Sequence, residues 1–227
     1  MKPTDDVLNN FNGTTPLFPL PDYVLFPKTV QPFHIFEPRY LDMVRDSLAG
    51  ERLITIALQV ENEKGDATPH APFHQVATLS YINQVRNLDD GTLKILVTGL
   101  TKVSTEEVDS DHAYRLVAVR AINDFIKVTD GDNKMARLMR LFQDILDKSG
   151  APYSLEILAA EDTPIEIATH IIISALAIDA KQKQGMLELQ SLELRLEILM
   201  NFLESGLHSI HSMERFEPIL PNNPQWN

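Results

Sequence analysis

Short apolar runs, separated by polar residues, fill the first half of the chain. This spacing is typical of successive β-strands. Asp90 and Gly91, between two of the runs, form a hairpin signal because such pairs tolerate the positive φ angles of a tight turn. No helical segment separates the later runs, so the pattern predicts an antiparallel, barrel-like sheet. The predicted strands lie at residues 53–58, 76–85, 93–97 and 114–122.

Prolines interrupt the apolar residues that precede these strands. Proline removes a donor from a strand ladder, so within sheets it is confined to edge strands, strand starts and bulges. Residues 15–21 and 23–27 are therefore predicted to form short edge strands and a turn.

One helix is predicted directly after this proline-rich stretch. Pro38 suits a first helical position, where its missing N–H is not needed, and Gly50 suits the position just past a helix end. Between them Leu41, Val44 and Leu48 recur at helical spacing. Such a spacing places the three side chains on one buried face.

After Phe125 the apolar residues recur with the period of a helix. A stripe at 135–146, after a turn at 129–133, predicts the first helix of this half. Polar capping residues mark the later helices, because their side-chain oxygens accept hydrogen bonds from the first free N–H groups. The predicted starts are the capping box at 163–166, Asp179 and Ser191, and Ser205 with Gly206 is the predicted end of the last helix.

The change from strand period to helix period places the chain in the α+β class. It also divides the chain into four predicted segments. These are a flexible N-terminus at 1–14, a β domain at 15–126, a helical bundle at 127–206 and a C-terminal tail at 207–227.

Acidic residues outnumber basic ones throughout the chain. The 227 residues hold 20 Lys and Arg against 32 Asp and Glu, a formal net charge of -12, which divides into -6 on each side of Phe125. Nucleic-acid binding depends on basic residues that neutralise phosphates, so this balance disfavours a nucleic-acid partner. The absence of cysteine excludes disulfides, thiol nucleophiles and iron–sulfur clusters.

The distribution of apolar residues also bears on location. Residues 1–6 lead into a polar stretch with no apolar targeting segment. The longest nearly uncharged run, at 167–178, is too short to span a bilayer. We therefore expect a cytoplasmic protein without a membrane partner.

Three motifs near the start of the chain stand in an order that is specific to one family. They are PLFPL at 16–20, VLFP at 24–27 and FEPRYL at 36–41. In this order they resemble the opening of the Lon protease N-terminal domain family, and specifically its stand-alone bacterial members. The similarity continues through VATL at 76–79 and SLELRL at 191–196, and covers about Thr15 to Gly206.

Some positions depart from the family pattern. Lys28 stands where glycine often follows the FP pair, and Ala77 stands where glycine is usual. Thr101 and Lys102 replace a common pair of arginines. These departures bear on the details of the turns and on any anion-binding role of the arginines.

The resemblance implies a PUA-like antiparallel β pseudo-barrel followed by a C-terminal helical bundle. In full-length Lon proteases this module engages protein substrates and helps to assemble the hexamer. We therefore expect a non-catalytic module that binds exposed apolar or unfolded segments of other proteins, by itself or with a proteolytic system.

Motifs for catalysis are missing from the sequence. It contains no GxxxxGK[ST] loop to cradle nucleotide phosphates, and no serine in a GPSAG or GxSxG context. We therefore expect neither enzymatic activity nor a cofactor.

Histidine pairs at two places have spacings that suit a metal ion. Pro69 and Pro72 interrupt the helix that His70 and His74 would need. The second group, His208 with His211 and Glu214, falls in the predicted tail. We expect no metal site from either group.

Six residues of the opening motifs are the candidate contacts to protein partners. Exposed aromatic side chains would supply the apolar surface of a binding groove, although core packing is the alternative role for each. Glu37 and Arg39 suit a binding pair or, alternatively, a structural pair at the start of a helix. The six residues are Phe26, Phe33, Phe36, Glu37, Arg39 and Tyr40.

Two further functions stay open at this point. PUA-like barrels elsewhere bind RNA, so a small-ligand or RNA-binding domain is the alternative, against which the acidic charge balance argues. A hydrolase whose Asp, Glu or His residues follow no known motif is the third hypothesis. The sequence leaves the oligomeric state open.

Overall fold

The structure is a computed structural model that describes residues 13–60, 71–149 and 163–216. The chain divides into two compact units. Unit 1 comprises Met1–Phe125 and His170–Gln190, and unit 2 comprises Ile126–Thr169 and Ser191–Asn227.

Strands and helices both occur in the described residues, which confirms the α+β class predicted from the sequence. The strands are β1 (Thr14–Leu20), β2 (Val30–Ile35), β3 (Leu53–Leu58), β4 (Val76–Asn87), β5 (Leu93–Val108) and β6 (Leu116–Ala121). The helices are α1 (Pro38–Ala49), α2 (Gly131–Ser149), α3 (Ile165–Ala175), α4 (Ala180–Glu188) and α5 (Leu192–Phe216).

One sheet in the order β2-β5-β4-β3-β1-β6 forms the centre of unit 1. A further pairing joins β6 to β5, so all strands except β2 close into a ring. β5 makes this possible because its residues 93–98 pair with β2 and its residues 103–108 pair with β6. All pairs are antiparallel except β1 with β3. That pair is parallel because β2 and α1 form a crossover between the two strands, where a hairpin would give the antiparallel sense.

Helix α1 begins and ends where the sequence pattern predicts. Pro38 is its first residue, and the Gly50 N–H donates to the carbonyl oxygens of Asp46 and Ser47 at 3.2 Å each. Its predicted inner face is buried completely at Val44 and partly at neighbouring apolar positions. The helix thereby covers one face of the sheet.

The described structure differs from the predicted elements in several places. β1, predicted as an edge strand, pairs with both β3 and β6, and β5 extends past the predicted 93–97 to Val108. The sequence pattern does not predict β2, because Pro32 interrupts its strand signal. Residues 23–27, predicted as a strand or turn, form a buried loop. Helix α5 continues past the predicted end at Gly206 to Phe216. Gly206 therefore lies within the helix and does not end it.

Two apolar clusters fill the two faces of the sheet. Neighbouring residues belong to opposite clusters, as Leu17 and Phe18 do in β1, because side chains alternate along a strand. The cluster enclosed by the ring takes residues from all five ring strands: Leu17, Leu53, Ala57, Ala77, Leu79, Leu100, Val103 and Val117. The other cluster includes Tyr40, Met43 and Val44 of α1.

Buried polar contacts attach residues 170–190 to the sheet of unit 1. Lys102 is 2% exposed, and its Nζ donates to the carbonyl oxygens of Leu187 and Leu189 at 3.0 and 2.8 Å. The same Nζ lies 2.5 Å from Asp124 Oδ1. Because a buried cation needs such partners, these bonds fix the end of α4 on β5.

In unit 2, α2 and α5 lie against each other through apolar side chains at helical spacing. Leu138, Phe142 and Leu146 are the buried residues of α2. The buried apolar residues of α5 are Leu192, Leu196, Leu199, Met200 and Leu203.

Both later caps lie where the sequence predicts. The Asp179 carboxylate accepts from the Lys181 N–H at 2.6 Å, and Ser191 Oγ accepts from the Leu194 N–H at 3.3 Å. Cap residues can therefore be identified from the sequence even where the packing of the helices cannot.

Candidate functional site

A pocket of about 740 Å³ lies on unit 1. Its walls come from Leu17 and Pro19 of β1, from residues 37–40 at the start of α1, and from residues 107–110 and 112–115 between β5 and β6. Ligand pockets usually have volumes of roughly 300–1,000 Å³, so this one is large enough for a side chain or a short peptide segment. It is the candidate functional site.

The start of α1 places an ion pair over an aromatic ring at this pocket. Arg39 Nη2 and Nε lie 2.7 and 3.0 Å from Glu37 Oε2, and the guanidinium carbon lies 4.5 Å from the centre of the Tyr40 ring. Burial raises the pKa of Tyr40, and the Arg39 guanidinium partly offsets this rise. Glu37 is the N-cap residue of α1, where the helix dipole favours a carboxylate. The positive charge at this wall is therefore already neutralised.

A second arginine at the pocket has the same arrangement. Arg115 donates from Nε and Nη2 to the two carboxylate oxygens of Glu107, at 2.6 and 2.5 Å. Its Nη1 donates to the Ala71 carbonyl oxygen at 2.7 Å, and its guanidinium carbon lies 4.7 Å from the centre of the Phe73 ring. A bidentate pair of this kind fixes both side chains, so Arg115 and Glu107 form a rigid part of the wall.

Tyr114 ties the loop between β5 and β6 to α1. Its hydroxyl donates to Asp46 Oδ2 at 2.8 Å, and the His112 ring stacks on the Tyr114 ring with centroids 4.8 Å apart. Burial and the bond to Asp46 raise the pKa of Tyr114, so the hydroxyl keeps its proton at neutral pH. The bond from the Tyr114 hydroxyl to Asp46 therefore persists at neutral pH and holds the loop that forms one wall of the pocket.

Three of the six residues predicted as partner contacts line this pocket: Glu37, Arg39 and Tyr40. Phe33 lies nearby in the fold, in edge-to-face contact with Phe18 and Tyr23 at centroid distances of 5.7 and 5.5 Å. Burial raises the pKa of Tyr23 to about 12. The Phe18 ring in turn lies 4.9 Å from the Tyr40 ring, so one aromatic cluster joins Phe33 to the wall of the pocket.

The other two predicted residues have opposite environments. Phe36 is 63% exposed and directly precedes Glu37 in the chain. Phe26 is fully buried, with its ring 5.4 Å from the ring of His170. A partner can therefore reach Phe36 and cannot reach Phe26.

Hydrogen bonds to the main chain explain why the loop that contains Phe26 is buried without being a strand. Thr29 Oγ1 donates to the Phe26 carbonyl oxygen at 2.7 Å, and Thr78 Oγ1 donates to that of Leu25 at 2.6 Å. His170 Nδ1 lies 2.9 Å from the Pro27 carbonyl oxygen, to which it donates. These partners replace a strand ladder, so the VLFP motif marks a fixed loop.

Lys28, in the same loop, has a φ of 66°. This left-handed conformation is strained for residues with a Cβ atom and is free of strain for glycine. It explains why this position, where the sequence departs from the family pattern, favours glycine.

Sequence reasoning did not single out Arg115 and Glu107. A signal for them was present, because the two opposite charges lie on either side of a polar stretch at 109–112, next to the start of the strand predicted at 114–122. In the register of β5 with β6, Glu107 lies opposite Val117, so Arg115 is its diagonal neighbour across the ladder, where opposite charges attract. Only the structure shows that the pair also borders a pocket.

The described residues show no group of three or more His, Asp and Glu side chains that could hold a metal ion. His74, part of one histidine pair considered from the sequence, lies 3.1 Å from Glu188 Oε1, and His70 lies outside the described residues. The side chains of His208, His211 and Glu214 also lie outside them. No described helix is both long enough and apolar enough to cross a bilayer. The cytoplasmic location stays a prediction.

Full-length proteases are among the proteins similar to this chain. Lon protease 1 of Myxococcus xanthus is 28% identical over 202 residues, which are 86% of this chain and 24% of that protein. Lon protease 2 of Bdellovibrio bacteriovorus is 27% identical over 218 residues, which are 93% of this chain and 27% of that protein. The chain thus spans about a quarter of the length of these curated relatives.

Solved structures share the fold. The Lon N-terminal domain protein from Xanthomonas campestris superposes with a TM-score of 0.61 at 19% identity, covering 83% of this chain and 97% of that one. The N-terminal domain of a Mycobacterium avium complex Lon protease gives a TM-score of 0.58 at 16% identity, covering 84% and 98%. The family model of the ATP-dependent protease La (LON) substrate-binding domain matches residues 14–205. Because this match covers most of the sequence, the chain belongs to the LON substrate-binding domain family.

Proposed function

We propose that this chain is a non-catalytic substrate-recognition module that binds exposed apolar or unfolded segments of other proteins and delivers them to a proteolytic system. Family membership supports the recognition of protein substrates. The match is to a substrate-binding domain and includes no catalytic domain, which supports a role in binding alone.

The observation that carries the proposal is the pocket of unit 1, which combines an apolar surface with paired charges. Pro38 and Val108, both exposed, offer apolar surface at the pocket, which a substrate side chain would cover on binding. Arg39 and Arg115 are held by their carboxylates, so the pocket is preformed. A preformed site binds a flexible segment at a lower entropic cost than a site that must first become ordered.

An unfolded segment also brings peptide groups, which must keep their hydrogen bonds when they leave water. The pocket wall holds both donors and acceptors for them, since guanidinium groups donate and carboxylates accept. Phe36, which is 63% exposed, offers further apolar surface next to Glu37 in the chain. The proposed contacts are therefore Phe33, Phe36, Glu37, Arg39 and Tyr40, without the buried Phe26.

The test is a substitution that fills the pocket. Ala113 lines the pocket on an exposed loop, so Ala113→Trp adds a bulky side chain without altering the core. We expect this variant to bind a fluorescently labelled, chemically unfolded protein at least about tenfold more weakly than the wild type, a loss of about 1.4 kcal/mol. Fluorescence anisotropy measures the affinity.

Ala49→Trp is the matched control, because Ala49 is exposed at the end of α1 and does not line the pocket. It should bind like the wild type. If the wild type binds the unfolded protein no better than an unrelated acidic domain does, the proposed function is wrong. Equal binding by Ala113→Trp and wild type would place the binding surface elsewhere on the chain.

A further inference from the structure

The charges that line the pocket do not cancel. Glu37 neutralises Arg39, and Glu107 neutralises Arg115. Asp109, which also lines the pocket, is exposed and adds a third carboxylate to the two arginines. With His112, which also lines the pocket, counted as neutral, the wall carries three carboxylates against two guanidinium groups, an excess of one negative charge.

Neither arginine is well placed to attract an anionic ligand. Arg115 is only 14% exposed, and three of its nitrogens already donate to Glu107 or to the Ala71 carbonyl oxygen. Arg39 directs two nitrogens at Glu37. An acidic substrate would have to displace these carboxylates or stand beside them, and like charges placed side by side repel.

The field of the whole chain acts in the same direction. A formal net charge of -12 attracts positive segments and repels negative ones before contact is made. The field of the whole chain and the charge of the pocket wall therefore both favour segments that carry Lys or Arg.

We infer that this pocket selects polypeptide segments in which an apolar side chain is flanked by Lys or Arg over segments in which it is flanked by Asp or Glu. The inference rests on the proposed function and adds the class of substrate. The apolar side chain contacts the exposed Pro38 and Val108. A neighbouring basic side chain lies beside Asp109 and the outer edge of Glu107.

Three synthetic peptides test this selection. They share their length, a central Phe and a Gly/Ser framework, and differ only in the residues on each side of Phe, which are Lys, Gln or Glu. Since an exposed charge pair changes binding by about 2- to 5-fold, we expect the Lys peptide to bind about 4- to 25-fold more tightly than the Glu peptide, with the Gln peptide between them. At about 1 M salt, where charges are screened within about 3 Å, the three affinities should converge.

A charge reversal locates the effect. Asp109→Lys should abolish or invert the preference for the Lys peptide and leave the Gln peptide bound within about twofold of the wild type. Asp89→Lys is the matched control, because Asp89 is also an exposed aspartate in a loop between two strands and does not line the pocket. Both variants change the net charge equally, so a general field effect would alter them alike.

The outcomes separate this inference from the proposed function. If none of the peptides binds and the unfolded protein also fails to bind, the proposed function is wrong and the inference falls with it. If the Gln peptide binds but Lys and Glu flanks give equal affinities at low salt, only the inference is wrong. Equal changes in Asp109→Lys and Asp89→Lys would show that the pocket does not make the selection.

Discussion

Unit 1 and unit 2 hold their chains in place by different means. In unit 1, buried polar groups tie distant segments together, as Lys102 does with Leu187 and Leu189. In unit 2, the described side-chain hydrogen bonds between α2 and α5 are exposed or only partly buried, as between Arg137 and Glu204 and between Lys134 and Glu193. The buried residues of α2 are apolar, and α5 buries Arg195 beside its apolar residues.

The difference bears on where a binding site can form. Apolar contacts tolerate shifts and exchanges of similar side chains, whereas a buried hydrogen bond holds only in one geometry. The pocket lies in unit 1, where the bonds of Tyr114 to Asp46 and of Arg115 to the Ala71 carbonyl oxygen hold the loop between β5 and β6. The loop that forms one wall of the pocket is therefore held in one geometry.

The largest expected effect comes from removing the buried cation of unit 1. Lys102→Met leaves the carbonyl groups of Leu187 and Leu189 and the Asp124 carboxylate without their buried partner. We expect a loss of about 3–5 kcal/mol in the free energy of unfolding, measured by urea denaturation.

Arg137→Met is the corresponding change in unit 2. The Arg137 side chain is 52% exposed, and loss of an exposed pair costs about 0–1 kcal/mol. If Lys102→Met and Arg137→Met lowered the free energy of unfolding by similar amounts, the proposed difference between the two units would be wrong.

The second prediction concerns a close approach of main chain to main chain. A Cβ atom on Gly99 would lie 2.4 Å from the Phe26 carbonyl oxygen and 3.1 Å from Thr78 Cγ2. Gly99→Ala should therefore force the loop off the sheet and cost about 3 kcal/mol in unfolding free energy. Gly185→Ala, in α4 with open space around it, should stabilise the protein by up to about 1 kcal/mol. A neutral Gly99→Ala in thermal denaturation would contradict the close contact.

A smaller gain is expected from relieving strain in the same loop. Lys28→Gly removes the Cβ atom at a φ of 66°, and the strain relieved in the folded state is about 1–2 kcal/mol. Glycine also gives the unfolded chain more conformational entropy, which offsets part of this gain in stability. We expect a net stabilisation of about 1 kcal/mol or less. Lys28→Ala, which keeps the Cβ atom, should give no such gain in the same denaturation series.

The smallest effect is a pH dependence in unit 2. Hydrogen bonds from Lys134 and Thr129 hold the pKa of Glu193 below its usual value of 4.5. A carboxyl with a lowered pKa stabilises the fold above its unfolded pKa, and this contribution is lost as the pH falls through the folded pKa. Glu193→Gln should therefore make the decline in stability below about pH 4.5 shallower, as urea denaturation at stepped pH will show. The difference should shrink in high salt, because these groups are exposed.

Local features of the fold could be predicted from the sequence because neighbouring residues determine them. The bounds of α1 follow from Pro38 and Gly50, and the caps Asp179 and Ser191 act within two or three residues. The opening motifs identified the family, and residues 37–40 proved to line the pocket.

Features that depend on contacts between distant residues could not be predicted from the sequence. β2 is a strand because β5 offers it an edge, although Pro32 weakens its own strand signal. Phe26 has the same apolar character as Phe36, and only contacts with residues far along the chain decide that one is buried and the other exposed. The proximity of Arg115 to Tyr40 at one pocket likewise follows from the closure of the ring.

The closed ring of strands also sets an order of events during synthesis. Thr14 pairs with Ala118, so β1 cannot pair with β6 until the ribosome has added about one hundred more residues. This takes roughly 5–20 s. The segment His170–Gln190, which completes unit 1, emerges later still. A nascent chain that stalls between β5 and β6 therefore displays an open-edged sheet, which can pair with strands of neighbouring chains.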